Sequence, residues 1–214
     1  MAKSSKQWLR RHVTDPYVRK AREQGYRSRA AYKLLELDSR EKLFRPGAIV
    51  IDLGAAPGSW SQVAARKVTP PGRVIAVDLL DIAPISGVTV LKGDLRDAKL
   101  LDALHGAGAD VVLSDVAPNL SGIANVDQAR AAELAHAAID LCQKVLKGDG
   151  VFVLKAFHGE AFEEVLQRLK HEFGKVAVRK PGASRGESRE TYVVARNQRK
   201  MDRSLQPHKT GVSL

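Results

Sequence analysis

Six ionisable residues sit where short apolar runs begin or end. Asp52, Asp78 and Asp94 close the runs Ala48–Leu53 (AIVIDL), Arg73–Leu79 (RVIAVDL) and Val88–Leu95 (VTVLKGDL). Asp115 closes Asp110–Asp115 (DVVLSD), Lys155 follows Val151–Leu154 (VFVL), and Glu190 opens Glu190–Ala195. Runs this short and this rich in β-branched residues read as strands buried on both faces. Acids at the ends of parallel strands face the crevice where α/β folds bind ligands. Behind Asp52 comes Gly54-Ala-Ala-Pro-Gly58, a D-x-G-x-x-x-G turn leading into a helical segment from about Gly58. The spacing is neither the dinucleotide fingerprint nor the phosphate loop. It lacks a lysine and is preceded by a carboxylate, which suits a ligand without pyrophosphate but with a positive centre. S-adenosylmethionine, a sulfonium with an α-amino group, fits, with Asp52 and Gly54 beside it. A tight structural turn in another α/β protein is the competing reading. Asp78, somewhat over twenty positions past the first glycine, is placed to accept hydrogen bonds from two ribose hydroxyls. Asp94, or the backbone next to it, is placed for an adenine amino group.

A second cluster suggests proton chemistry. If the strand opened by Glu190 runs antiparallel, its start lies at the same edge as the ends marked by Asp115 and Lys155. The N-terminal helix could bring Lys33 over that edge. A second lysine and desolvation lower a lysine's pKa, whereas carboxylates raise it. A base poised near neutrality takes a proton from a weakly acidic hydroxyl such as a ribose 2′-OH. A sulfonium methyl needs no metal, and in-line positioning becomes the main task. Ordinary salt bridges are the alternative for these four groups.

The elements that position these residues alternate strand and helix, as in a doubly wound, mostly parallel sheet. Ser28 is expected to cap a helix over SRAAYKLLELDSREKL, with Ala31, Leu34, Leu35 and Leu37 as its apolar stripe. The helix after Gly58 stops at Thr69-Pro-Pro-Gly72. A long helix runs from about Val126 to Leu146 and closes at Lys147–Gly150; another spans Glu160–Phe173. Lys175–Val178 and Glu190–Ala195 are expected as an antiparallel pair joined by the loop Pro181–Arg189.

Net charge is +11 over 214 residues, and it is uneven. Residues 1–33 carry ten Lys/Arg against Asp15 and Glu23, residues 179–214 carry nine against three acids, and the middle is mildly acidic. Basic ends on an acidic body point to a polyanion. Arg10, Arg11, Arg27 and Arg29 are the expected RNA contacts, with Trp8, Tyr17, Tyr26 and Tyr32 available for stacking; a solvated basic tail is the alternative. This gives a basic extension over 1–25, a catalytic domain over 26–196 and a basic tail over 197–214. The single cysteine, Cys142, reads as a small core residue. The six histidines show no metal-ligand spacing, and His136 reads as a helix-surface or packing residue. No apolar run of about 18 residues spans a membrane, no signal segment opens the chain, and a cytoplasmic monomer is expected.

The segments SRAAYKL, DLGAAPGSWSQ, SDVAPNLSG, LKAFHG and SRETYVVA resemble the FtsJ-type large-subunit ribosomal RNA methyltransferases, and the resemblance covers nearly the whole chain. It implies a seven-stranded Rossmann-like class I methyltransferase fold and S-adenosylmethionine-dependent 2′-O-methylation of a ribose. The family's Lys-Asp-Lys-Glu tetrad falls on Lys33, Asp115, Lys155 and Glu190. Lys155 is the implied proton acceptor, and Lys33 and Glu190 orient the hydroxyl. Gly58, Trp60, Asp78, Asp94 and Asp115 are the implied cofactor contacts. Ser59 stands where a second glycine is frequent, and His158 where glutamine is common. The resemblance further implies a uridine of large-subunit RNA as target, on the assembled particle. A tRNA or messenger-cap ribose methyltransferase shares the tetrad and is the rival. A nicotinamide-dependent dehydrogenase lacks the glycine spacing here. An RNA-binding module without activity explains the charge but not the turn.

Overall fold

A computed structural model describes residues 15–119, 121–184 and 188–199. Arg10, Arg11 and Trp8 lie outside them. The elements run α1 (Pro16–Glu23), α2 (Ala30–Glu41), β1 (Ile49–Leu53), α3 (Ser59–Val68), β2 (Arg73–Asp78), β3 (Val88–Lys92) and α4 (Ala98–Leu104). They continue with β4 (Ala109–Ser114), α5 (Ala124–Val145), β5 (Leu146–Phe157), α6 (Glu160–Glu172), β6 (Phe173–Arg179) and β7 (Glu190–Gln198). The seven strands form one sheet in the order β3-β2-β1-β4-β5-β7-β6. Only β7 runs against the rest, pairing antiparallel with both β5 and β6.

Apolar side chains fill both faces. On one, Ile51, Leu53, Val112, Phe152, Leu154 and Val193 pack under α4, α5 and α6. On the other, Val50, Leu113, Val153, Tyr192 and Val194 pack under α2 and α3. Strand side chains alternate faces. Asp52, Asp115, Lys155, Glu190 and Tyr192 are therefore all in register with the face that α2 and α3 cover.

Residues 16–23, in a basic stretch expected to be extended or loosely helical and broken at Asp15-Pro16, form a helix capped by the Asp15 carboxylate, and Val18 and Ala21 are buried. Lys147–Gly150, expected as a helix-closing turn, belong to β5, which starts at Leu146 and shifts register against β4 between Ala109 and Val111. The helix α4, capped by Asp97, was not expected; only Leu100 and Leu104 of its seven residues are buried. Among the described residues no helix is long and apolar enough to cross a membrane.

Candidate active site

The crevice opens at the carboxyl ends of β1, β2, β3 and β4. Gly54 forms its floor with φ +71, and a Cβ there would lie 2.6 Å from the Val116 side chain and 2.9 Å from its backbone. Glycine thus lets the turn after β1 approach the end of β4. The cavity holds about 280 Å³. Apolar walls come from Leu53, Val77, Leu79 and Val116, and polar points from Asp78, Asp94 and Asp115. The Asp78 carboxylate is fixed by two backbone donors, Ala56 N–H at 2.9 Å and Leu80 N–H at 2.8 Å. Asp94 also lines the cavity, but Arg96 already engages both its oxygens, Nε at 2.9 Å and Nη2 at 2.6 Å. Arg96 holds its pKa down to about 2.

Asp52 lies beneath this crevice and is completely buried. The Ser61 hydroxyl donates to its Oδ2 at 2.6 Å, and its Oδ1 has no partner. Burial raises its pKa to about 7, against the Ser61 hydrogen bond and with help from the charges of Asp115 and Asp78.

Gly58 and Trp60, the other two implied cofactor contacts, are not among the residues that line the cavity, and each makes contacts of its own. Gly58 has φ +106, and a Cβ there would meet Ile85 at 2.6 Å and the Arg27 guanidinium at 2.8 Å; its glycine makes room for Arg27. The Trp60 indole donates to the Ala30 carbonyl at 2.9 Å and packs on Tyr192 at 5.5 Å between ring centroids. It docks the start of α2 against the sheet, as does the 2.7 Å contact between the hydroxyls of Ser28 and Ser59.

The structure brings Lys33, Asp115, Lys155 and Glu190 together. Lys33 Nζ lies 2.6 Å from Glu190 Oε1. Lys155 Nζ lies 3.1 Å from Asp115 Oδ1 and donates to the Asp115 carbonyl at 2.6 Å. Tyr192 joins the two pairs, its hydroxyl 3.0 Å from Asp115 Oδ1 and 3.1 Å from Glu190 Oε1. One hydroxyl hydrogen is thus shared by two carboxylates, one of which also lines the crevice. Burial, then Asp115 and Glu190, push the Tyr192 pKa well up. Burial works to raise that of Glu190, but Lys33 leads Lys155 and the Ser184 hydroxyl in outweighing it, and the net shift is downward.

Tyr192 escaped the sequence reading, although the strand period places it with Glu190. So did Glu36, one helical turn past Lys33. Its carboxylate accepts the backbone N–H groups of Gly182 at 2.5 Å and Ala183 at 3.1 Å. That fixes the β6–β7 loop so that the Ser184 hydroxyl donates to Glu190 Oε1 at 3.1 Å.

The expected RNA contacts divide. Arg29 is mostly buried, ion-paired with Asp15 and donating to the Ala183 carbonyl. Its charge is satisfied inside the protein, so the structure removes it from the RNA-facing set. Arg27 stays partly exposed, held by the carbonyls of Pro57 at 2.8 Å and Pro84 at 2.9 Å. Tyr17, Tyr26 and Tyr32 pack on one another at 5.4 and 5.9 Å instead of standing free as stacking platforms.

A sheet in this order, with one antiparallel strand and a glycine turn between acid-tipped strands, defines a Rossmann-like methyltransferase fold. The FtsJ-like methyltransferase model matches residues 26–198, and the chain belongs to that family. It is 49% identical over 199 residues to the ribosomal RNA large subunit methyltransferase E of Marinobacter nauticus, covering 91% of this chain and 96% of that one. Identity to the protein of the same name from Hahella chejuensis is 50% over 199 residues, covering 91% and 97%. A crystal structure described as a ribosomal RNA methyltransferase of Plasmodium falciparum superposes with a TM-score of 0.71 at 29% identity, covering 81% of this chain and 98% of that one. Aeropyrum pernix fibrillarin shares the fold, with a TM-score of 0.56 at 17% identity, covering 78% and 73%.

Proposed function

We propose that this chain transfers a methyl group from S-adenosylmethionine to a ribose 2′-hydroxyl of large-subunit ribosomal RNA. The proposed target is a uridine, and the proposed substrate is the assembled subunit. The observation that carries the reading is the meeting of two ion pairs through Tyr192 at the rim of a crevice already fitted for an adenosine. The substrate class rests on the ribosomal RNA methyltransferases that resemble the chain across nine-tenths of its length.

The residues present fit the cofactor. Asp78, held by two N–H donors, keeps lone pairs for ribose hydroxyls. The apolar walls suit a purine ring, and the unpartnered Oδ1 of Asp52 adds negative character beneath the turn. When bound, S-adenosylmethionine supplies a methyl group on a sulfonium leaving group.

The chain's own residues handle the hydroxyl. Lys155 acts as the proton acceptor through Nζ. To accept a proton, the Lys155 ammonium must first give one to solvent; the amine so formed has two hydrogens and one lone pair. Asp115 takes both hydrogens, one on its carboxylate and one on its carbonyl, so the lone pair is left for the 2′-hydroxyl proton. Lys33 and Glu190 orient that hydroxyl, and Tyr192 keeps the pairs in mutual register. The surroundings are nearly dry, with Lys155 and Glu190 each 9% exposed, which strengthens every polar contact there.

The test is transfer of label from tritiated S-adenosylmethionine to whole large subunits, naked ribosomal RNA and tRNA in parallel. Large subunits are expected to acquire it, and labelling of tRNA alone overturns the substrate assignment. Lys155→Ala is expected to abolish transfer while cofactor binding persists. Wild-type turnover in that variant removes the lysine from the mechanism.

A further inference from the structure

On the other side of the glycine turn from the crevice lies a second, open cleft of about 440 Å³. Arg27 and Arg66 face it, with Gln62, Pro84 and Ser86 among the other lining residues and no acid among them. Most arginines with described partners meet a carboxylate, as Arg29, Arg45, Arg96, Arg168 and Arg179 do. These two do not. Arg27 has only the carbonyls of Pro57 and Pro84, and its backbone N–H is held by Gln62 Oε1 at 2.9 Å. Arg66 lies over the Tyr26 ring, 4.4 Å from its centroid, and makes two 3.4 Å contacts to the Gln24 carbonyl.

Both guanidinium groups are therefore held in place without losing their charge. Arg27 uses two of its five N–H donors on carbonyls, and three remain. A planar guanidinium fixed by backbone acceptors or an aromatic face is preorganised for a tetrahedral oxyanion. Two such cations in one cleft repel each other unless an anion joins them. The cleft also adjoins the reactive crevice. Pro57, whose carbonyl holds Arg27, is the neighbour of the crevice residue Ala56, and Arg27 precedes Lys33 by less than two helical turns of chain.

We propose that this cleft binds a backbone phosphate of the RNA strand, from a nucleotide flanking the one whose ribose enters the Lys155 site. The assignment deepens the reading above and rests on it. An open cleft with cations and no free aromatic face contacts phosphate without reading a base. It therefore sets register and affinity, not sequence preference.

Arg66→Gln is the probe variant, because Arg66 has no carboxylate partner to lose, only its place over Tyr26 and two 3.4 Å contacts to Gln24; cofactor affinity checks its fold. Binding of a labelled single-stranded RNA oligonucleotide is measured with the full chain from low to moderate KCl. Methyl transfer to large subunits is measured alongside. Arg73→Gln, an exposed charge at the start of β2 on the opposite sheet edge, is the control. Arg66→Gln is expected to weaken RNA binding about three- to tenfold and to reduce the log–log salt slope by about one. It should raise KM for RNA with kcat and cofactor affinity unchanged. Arg66→Lys should keep the salt slope and recover part of the affinity. An unchanged slope in Arg66→Gln, or an equal drop in Arg73→Gln, overturns the cleft assignment. So does a loss seen with large subunits but not with RNA alone, which assigns the cleft to a protein. If the wild-type chain methylates no RNA, the functional reading falls instead.

Discussion

Asp52→Asn tests the electrostatics beneath the crevice. Asp52 is fully buried with one oxygen unpartnered, and its pKa is raised from an ordinary 3.8 to about 7. Burial is the main cause, the Ser61 hydroxyl opposes it, and the charges of Asp115 and Asp78 add to it. The folded chain thus holds this proton more tightly than the unfolded chain does. The resulting stability is complete below the unfolded pKa and is lost as pH rises through the folded one. Each pH unit in the window between the two pKa values costs about 1.4 kcal/mol, so this group alone removes about 3 kcal/mol between pH 5 and pH 8. Asparagine cannot ionise, keeps the shape and still accepts from Ser61. At pH 5 the folded carboxyl is still neutral but the unfolded one is already ionised, so the variant holds part of its advantage there and gains the rest as pH rises. Urea unfolding at pH 5, 6, 7 and 8 reads the difference directly, and titrating groups that do not interact with Asp52 cancel in the comparison. The variant should gain about 3 kcal/mol on the wild type across that range. Parallel stability curves would refute the argument that Asp52 is neutral at pH 5 and ionised at pH 8 in the fold.

Other perturbations separate positioning from chemistry. Tyr192→Phe keeps the ring on Trp60 but removes the hydroxyl shared by Asp115 and Glu190. Steady-state kinetics should show kcat lower by about ten- to a hundredfold with cofactor affinity intact; an unchanged kcat argues against the bridge. Glu36→Ala frees two loop N–H groups and should lower kcat through Ser184 and Glu190, whereas Glu36→Gln should restore part of it. Equal effects from both would leave only bulk packing. Gly54→Ala forces a side chain into the Val116 backbone at positive φ and should lower stability by about 2 to 4 kcal/mol in a denaturant melt.

How much of this was legible in the sequence depended on how local each signal was. Acids ending apolar runs need only their own strand to be recognised, and Asp52, Asp78, Asp94 and Asp115 all fell at one edge as expected. The antiparallel run of the last strand was open to inference because Pro181–Arg189 is polar and short. Arg29 was not legible. It resembles its basic neighbours in sequence, but its partners Asp15 and Ala183 lie 14 and 154 positions away. The start of β5 was hidden for a different reason. Gly148-Asp-Gly150 carries turn chemistry, but Leu146 pairs with Ala109 across the sheet, and tertiary pairing overrides the local signal. The seating of α2 by the Trp60 indole was hidden too, because its partner Ala30 lies 30 positions away.

The single reversed strand explains why the reactive groups can meet. In an all-parallel sheet the residue opening β7 would sit at the far edge from Lys155. Running antiparallel, β7 sets Glu190 opposite Phe157 and Tyr192 opposite Lys155. The strand period then turns Lys155, Tyr192 and Glu190 to the face covered by α2, where Lys33 reaches Glu190. Placement of α2 is in turn set by contacts that carry no reaction: the Trp60 indole on Ala30, Ser28 on Ser59, and Glu36 on the β6–β7 loop. The four charged groups come from four separate segments of the chain, and each pair is completed across the sheet or from the helix above it. Disturbing any of the three seating contacts should therefore lower turnover without touching a reacting atom, and the loss should appear in kcat before it appears in cofactor binding.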